Sequence, residues 1–153
     1  MPRTIVSDSS CFILLSNIGE LDLLYKVYGE IITTPEVVSE FNGPLPEWVI
    51  IKKPVDKYYQ TILEAQLDRG ESSAIALALE MENSTLILDD LKARKMAEHL
   101  GLSYTGTIGV IVKAKLIGLI SSIQPILKKL KQTDFRISNE IELEALRLAT
   151  ELP

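Results

Sequence analysis

The residues of this chain best suited to chemistry are carboxylates placed where strands end. Asp8 follows the β-branched run Thr4-Ile5-Val6 and precedes Ser9-Ser10, and Asp89-Asp90 closes the apolar run Thr85-Leu86-Ile87-Leu88. Glu36 and Glu40 follow the short run Ile31-Ile32-Thr33, and Glu71 opens a stretch of small apolar residues leading toward Asp89. In a parallel α/β sheet the loops leaving the carboxyl ends of the strands share one edge, where ligands bind. These acids can therefore meet. A set of oxygen-only ligands suits a hard divalent cation, Mg²⁺ or Mn²⁺, held by a few carboxylates with water completing an octahedron. Such an ion lowers the pKa of bound water and neutralises charge on a phosphoryl oxygen during in-line attack.

Each acid also has a purely structural reading. Asp8, followed by Ser9 and Ser10, fits a helix N-cap. Glu36 stands at the start of a helix, where a carboxylate favours the dipole. Glu40 lies a turn further in and lacks that explanation, so it is preferred as the ligand. Asp68-Arg69-Gly70-Glu71 has the spacing of a capping box, and Asp90 can cap a helix starting at Leu91, leaving one of the adjacent pair for metal. The single histidine, His99, falls late in a charged helix and reads as a surface residue, and no glycine-rich phosphate loop is present.

The elements that must position these acids follow from the apolar pattern. Helical stretches are expected after Asp8, interrupted at Gly19 and ended by Gly29. Further helices are expected from Pro35 to about Phe41, 56–67, through Ala74–Leu79, from Leu91 to Gly101, from Ile108 to Leu116, around Leu127 and Leu130, and after a Ser138 cap. Strands alternate with them at 3–6, 31–33, 48–51, 85–88 and 103–105, which implies a parallel sheet covered on both faces. Asn42-Gly43-Pro44-Leu45-Pro46 is the one clear break and is too short for a domain linker. One domain spanning residues 1–153 is expected, long enough for a substantial core.

The lone cysteine, Cys11, excludes a disulfide framework and a cysteine metal site, and reads as core. With no signal segment and no long apolar run, a cytoplasmic protein with no membrane partner is expected. A net charge of −5 argues against binding nucleic acid by broad phosphate neutralisation, yet not against a nuclease whose carboxylates hold cations. Basic residues gather at Lys92-Ala93-Arg94-Lys95, at Lys113 and Lys115, and at Lys128-Lys129-Leu130-Lys131, each readable as a solvated helix face. Trp48 and Tyr58-Tyr59 could stack on bases, though packing or a subunit contact explains them as well.

The order Val6-Ser7-Asp8-Ser9-Ser10, Pro35-Glu36-Val37-Val38-Ser39-Glu40, Gly70-Glu71-Ser72-Ser73-Ala74-Ile75-Ala76-Leu77-Ala78 and Leu86-Ile87-Leu88-Asp89-Asp90 resembles a PIN domain. The continuation Lys92-Ala93-Arg94-Lys95-Met96-Ala97 and Gly106-Thr107-Ile108-Gly109 is similar in particular to a prokaryotic PIN-like subfamily related to the VapC toxins. The resemblance covers nearly the whole chain. It implies a three-layer α/β/α sandwich with a central parallel sheet and C-terminal helices. It also implies an Mg²⁺- or Mn²⁺-dependent endoribonuclease that hydrolyses RNA phosphodiesters, usually as the toxin of a toxin–antitoxin pair, with an antitoxin and a second copy of the chain as partners.

Carried over by position, the resemblance makes Asp8, Glu40, Glu71 and Asp89 or Asp90 the catalytic metal-holding acids. Glu71 stands where many PIN domains have an aspartate. Ser10 becomes a hydrogen-bonding neighbour of Asp8, and Thr107 a second supporting hydroxyl. Lys92, Arg94 and Lys95 are the leading contacts to RNA. Two other readings stand beside this one. A receiver-like or phosphatase-like Mg²⁺-binding α/β domain is disfavoured because no strand end carries Asp-x-Asp and the glutamates would have no role. A PIN-like binding module without activity would keep the scaffold but bind no metal.

Overall fold

The computed structural model describes residues 3–152, so both ends of the 1–153 span lie outside the described residues. Its centre is a sheet of five parallel strands, β1 (Thr4–Ser7), β2 (Ile31–Thr33), β3 (Val49–Ile51), β4 (Ser84–Ile87) and β5 (Ser103–Thr105), in the order β3-β2-β1-β4-β5. Val6 pairs with Ile32 on one side and Leu86 on the other. The chain builds outward from β1 in one direction, then returns to place β4 on the other side. That reversal between β1 and β4 is the switch point beside which open α/β sheets form their ligand crevices. The order differs from the 2-1-3-4-5 order of receiver-type folds, which removes the receiver alternative.

Side-chain alternation along each strand sorts the helices into two layers. Ile5 and Ile87 face α1 (Ser9–Asn17), α2 (Asp22–Tyr28), α7 (Thr107–Leu116), α8 (Gln124–Lys131) and α9 (Asn139–Leu148). Val6, Leu86 and Leu88 face α4 (Tyr58–Leu63), α5 (Arg69–Leu79) and α6 (Leu91–His99). The short α3 (Pro35–Glu40) sits at the rim against α5. The result is the three-layer α/β/α sandwich.

Helix α5 shows why small residues matter here. Every residue from Gly70 to Ala78 is buried, and Ala74, Ala76 and Ala78 are at most 1% exposed. Their short side chains let the helix backbone lie close to the sheet, and a leucine at any of them would overpack the layer at a cost of about 1–3 kcal/mol. Ser73 is buried with them and satisfied, donating to the Gly70 carbonyl and sharing a 2.6 Å hydrogen bond with Thr34.

Side-chain caps form at the starts of α3 and α9. Thr34 accepts from the Val37 amide and Ser138 from the Ile141 amide. Gly29 ends α2 at φ +76°, a conformation that favours glycine. The helix expected over 56–67 is shorter, because after Leu63 the chain tightens into i→i+3 bonds, Ala65 to Ile62 and Gln66 to Leu63. Among the described residues no helix is long and apolar enough to cross a membrane.

Candidate metal centre

Asp8 leaves the central strand at the switch point, its amide extending the ladder to the Ile87 carbonyl at 3.1 Å. It occupies the N-cap position of α1 with extended backbone, yet its side chain makes no capping hydrogen bond. The structural reading offered by Asp-Ser-Ser therefore does not describe what this carboxylate does. The residue is 5% exposed, and its Oδ1 is buried without a hydrogen-bond partner among the described residues. Burial, with Asp68, Glu71 and Glu40 nearby, pushes the carboxyl up to about 8 against the opposing pull of the Ser9 amide. A buried carboxylate in acidic company must keep its proton or acquire a cation.

Glu71 stands in the first turn of α5, where both halves of the expected capping box form. Its amide donates to Asp68 Oδ1 at 2.7 Å, and its Oε1 accepts from the Asp68 amide at 3.3 Å. Burial, Asp68, Asp90 and Glu40 together push its carboxyl up to about 7. The cap role is real, and it leaves the carboxylate in the acidic group. Glu40, at the end of α3, accepts from Ser9 Oγ at 2.8 Å. Its space exists because residue 70 is glycine: a Cβ there would stand 2.0 Å from Glu40 Oε1. Glu36 is turned onto the buried Gln60, whose amide donates to it.

Asp89 and Asp90 divide their work. Asp90 caps α6 by accepting from the Ala93 amide at 2.9 Å, and it still faces Glu71 electrostatically. Asp89 is held on both oxygens, with Oδ1 accepting from the Thr107 amide at 2.8 Å and Oδ2 from Thr107 Oγ1 at 2.6 Å and Ser10 Oγ at 2.9 Å. Ser10 thus bonds Asp89 across the β1–β4 junction and not Asp8 as expected, because α1 turns its second residue toward the neighbouring strand's end. Thr107, the other expected hydroxyl, ties the start of α7 to the same carboxylate.

Arg94 departs from its expected place among RNA-facing cations. Its Nε donates to the Leu88 carbonyl at 2.7 Å, its Nη2 lies 3.8 Å from Asp89, and the guanidinium covers the Tyr104 ring at 5.5 Å. Gly106 makes room for this, since a Cβ there would fall 1.8 Å from Arg94 Nη2 and 2.7 Å from Asp89 Oδ1. Lys92 and Lys95 are exposed on α6, as is His99. In the other basic clusters Lys115, Lys129 and Lys131 pair with Glu151, Glu20 and Glu142. Trp48 packs on Tyr25 with ring centroids 5.7 Å apart, and Cys11 is fully buried core.

Asp68 belongs to this acidic group and went unnoticed in the sequence, where its capping spacing accounted for it. Among the described residues no three His, Cys, Asp or Glu side chains are drawn tightly enough to enclose an ion by themselves. A hydrated Mg²⁺ or Mn²⁺ does not need such a cage, since it keeps several waters and takes one or two carboxylates directly. The orphaned Asp8 Oδ1 and an all-oxygen donor set fit that requirement. Of the acids at this edge, Asp89 is the one with an ion-pair partner among the described residues, so the group carries excess negative charge.

A family model described as a PIN domain matches residues 4–151. No curated protein and no solved structure matches the chain. PIN domains are generally nucleases and typically use divalent metal ions. The match spans almost the whole sequence and agrees with the parallel α/β/α sandwich: the chain belongs to the PIN domain family.

Proposed function

We propose that this protein is an Mg²⁺- or Mn²⁺-dependent endoribonuclease that hydrolyses RNA phosphodiesters. The observation that carries the reading is the buried, unpartnered Asp8 Oδ1 at the sheet's switch point, facing Asp68, Glu71 and Glu40. Asp8 is the principal holder of the cation, with Glu40, Glu71 and Asp90 bounding the same space directly or through water. The ion supplies a water of lowered pKa and a positive charge for the phosphoryl oxygen.

The chain's own groups set that site up. Ser9 fixes Glu40 from the first turn of α1. Ser10 and Thr107 lock Asp89, which joins the ends of β1 and β4 to the start of α7 and so holds the acidic edge in shape. Asp89 is therefore read as a positioning group, and Asp90 as the member of the adjacent pair that faces the ion. Lys92 and Lys95, exposed on α6, are the cations available to meet an RNA backbone near this edge. The toxin role, an antitoxin partner, a homodimer and a cytoplasmic setting complete the reading and rest on the subfamily resemblance.

The test is cleavage of a mixed-sequence RNA by repurified wild type, Asp8→Asn and Glu40→Gln, each with Mg²⁺, Mn²⁺ or EDTA. Cleavage by wild type with either cation, abolished by EDTA and by Asp8→Asn, is expected. Undiminished cleavage by Asp8→Asn overturns the assignment. Failure of the wild type to cleave RNA or to bind Mn²⁺ at these acids turns the reading to a binding module on a PIN scaffold.

A further inference from the structure

On the sheet face opposite α5, away from the acidic edge, lies a groove of about 600 Å³ between strands β1, β4 and β5 and helices α2 and α7. Its size falls in the range of small-molecule sites. Ile5 and Val27 give it apolar walls, and among the described residues its polar lining is one-sided in charge, with Arg3 and Lys113 present and no carboxylate. Residues Thr85, Ser103 and Thr105 point into it from strand positions of the same parity as the core residues Ile5 and Ile87. Thr85 and Thr105 are half-buried there and Ser103 is exposed at the edge strand, so all three hydroxyls are within reach of a bound molecule.

These polar groups are also free to bind. Arg3 Nη1 donates to Thr85 Oγ1 at 2.9 Å, which orients the guanidinium and leaves its other N–H groups. Lys113 Nζ rests 4.8 Å from the Tyr28 ring centroid. Among the described residues neither that ammonium nor the hydroxyls of Tyr28, Ser103 and Thr105 have a hydrogen-bond partner. Burial pushes the Tyr28 phenol up to about 12, so it stays a donor.

We infer that this groove is a second ligand site, distinct from the acidic edge, for a small phosphomonoester of about mononucleotide size. Arg3 and Lys113 meet the phosphate, and the Ser103, Thr105 and Tyr28 hydroxyls donate to its remaining oxygens. Several convergent donors with two cations suit the three acceptor oxygens of a phosphate dianion. Helix α7 carries both Lys113 in this groove and Thr107 on Asp89, so the two sites share an element.

The experiment is amide-shift mapping of ¹⁵N-labelled full-length protein in EDTA, titrated with AMP, inorganic phosphate and adenosine. EDTA removes metal-mediated binding at the acids. Saturable shifts of Ser103, Thr105 and Gly109 with AMP and phosphate, and none with adenosine, are expected. Lys113→Gln and Arg3→Gln should each weaken AMP by about tenfold or more, as loss of a charged hydrogen bond does, while Asp8→Asn leaves it unchanged. Overturning results are the absence of saturable shifts, shifts centred on the acidic edge, equal shifts with adenosine, or affinity unmoved by both substitutions. The wild-type comparison of AMP with adenosine decides the matter even if a variant fails to fold.

Discussion

Replacing Asp8 by Asn should stabilise the metal-free protein at neutral pH while removing its metal response. Asp8 ionises at about 8 in the fold, against 3.8 for an ordinary aspartate. Between those values the folded protein holds a proton that the unfolded chain has released, so stability falls as pH rises from about 4 to about 8. At pH 7 the accumulated penalty is about 4 kcal/mol, at 1.36 kcal/mol for each pH unit. Asparagine removes it, but buries an amide with at most part of its hydrogen bonding met, which returns about 2 kcal/mol. The remaining gain of about 2 kcal/mol corresponds to roughly 4–8 °C in a domain of this size. Thermal melts in EDTA from pH 4 to pH 8.5 read this directly. Asp8→Asn should melt higher than wild type at pH 7.5, the gap should close near pH 5 and reverse toward pH 4, and Mn²⁺ should raise the melting temperature of wild type alone. A variant no more stable than wild type at pH 7.5, or a gap independent of pH, refutes the picture of an uncompensated buried carboxylate.

Gly70→Ala should leave the fold intact, since the new methyl meets only the mobile end of Glu40, yet weaken Mn²⁺ binding by about 10–100-fold, as loss of a supporting arrangement commonly does; calorimetric titration measures it. Thr107→Val removes the 2.6 Å bond to Asp89 and should lower kcat for RNA cleavage by about 10–100-fold with little change in KM. Glu151→Gln tests the far end of the fold. Burial disfavours that carboxylate, but hydrogen bonds from Ser122, the Ile123 amide, Gln124 and Lys115 outweigh it and hold the group down at about 2. Its stabilisation is complete above the ordinary value of 4.5 and is lost as pH falls through about 2. The variant should be less stable at pH 7 by about 2 kcal/mol, and denaturant melts should show the difference closing between pH 4.5 and pH 2.

What could be read in the sequence was what local chemistry determines. The β-branched runs at β1 and β4, the caps at Thr34, Asp68, Asp90 and Ser138, and the small-residue helix α5 each carry their signal within a few residues. The sharing of one edge by Asp8 and Asp89 follows from parallel strands alone. Partners set by the third dimension were out of reach. Ser10 and Asp89 are 79 positions apart and meet because β4 lies beside β1, which no local pattern specifies. Arg94 sits in a basic run and reads as surface, yet a glycine at 106 opens the space that turns it inward. Asp68 escaped notice for the opposite reason, since its capping role fully explained it. The Arg3 and Lys113 groove joins residues from β1, β5, α2 and α7, none of which marks a site by itself.

The central claim is that Asp8 holds a divalent cation among the acids of the β1–β4 edge. Anomalous diffraction from a crystal soaked in Mn²⁺ tests it most directly. The account predicts a peak against the Asp8 carboxylate, bounded by Glu40 and Glu71 and absent from Asp8→Asn crystals. A saturating soak with no peak there, or a peak on other acids with Asp8 untouched, would contradict it.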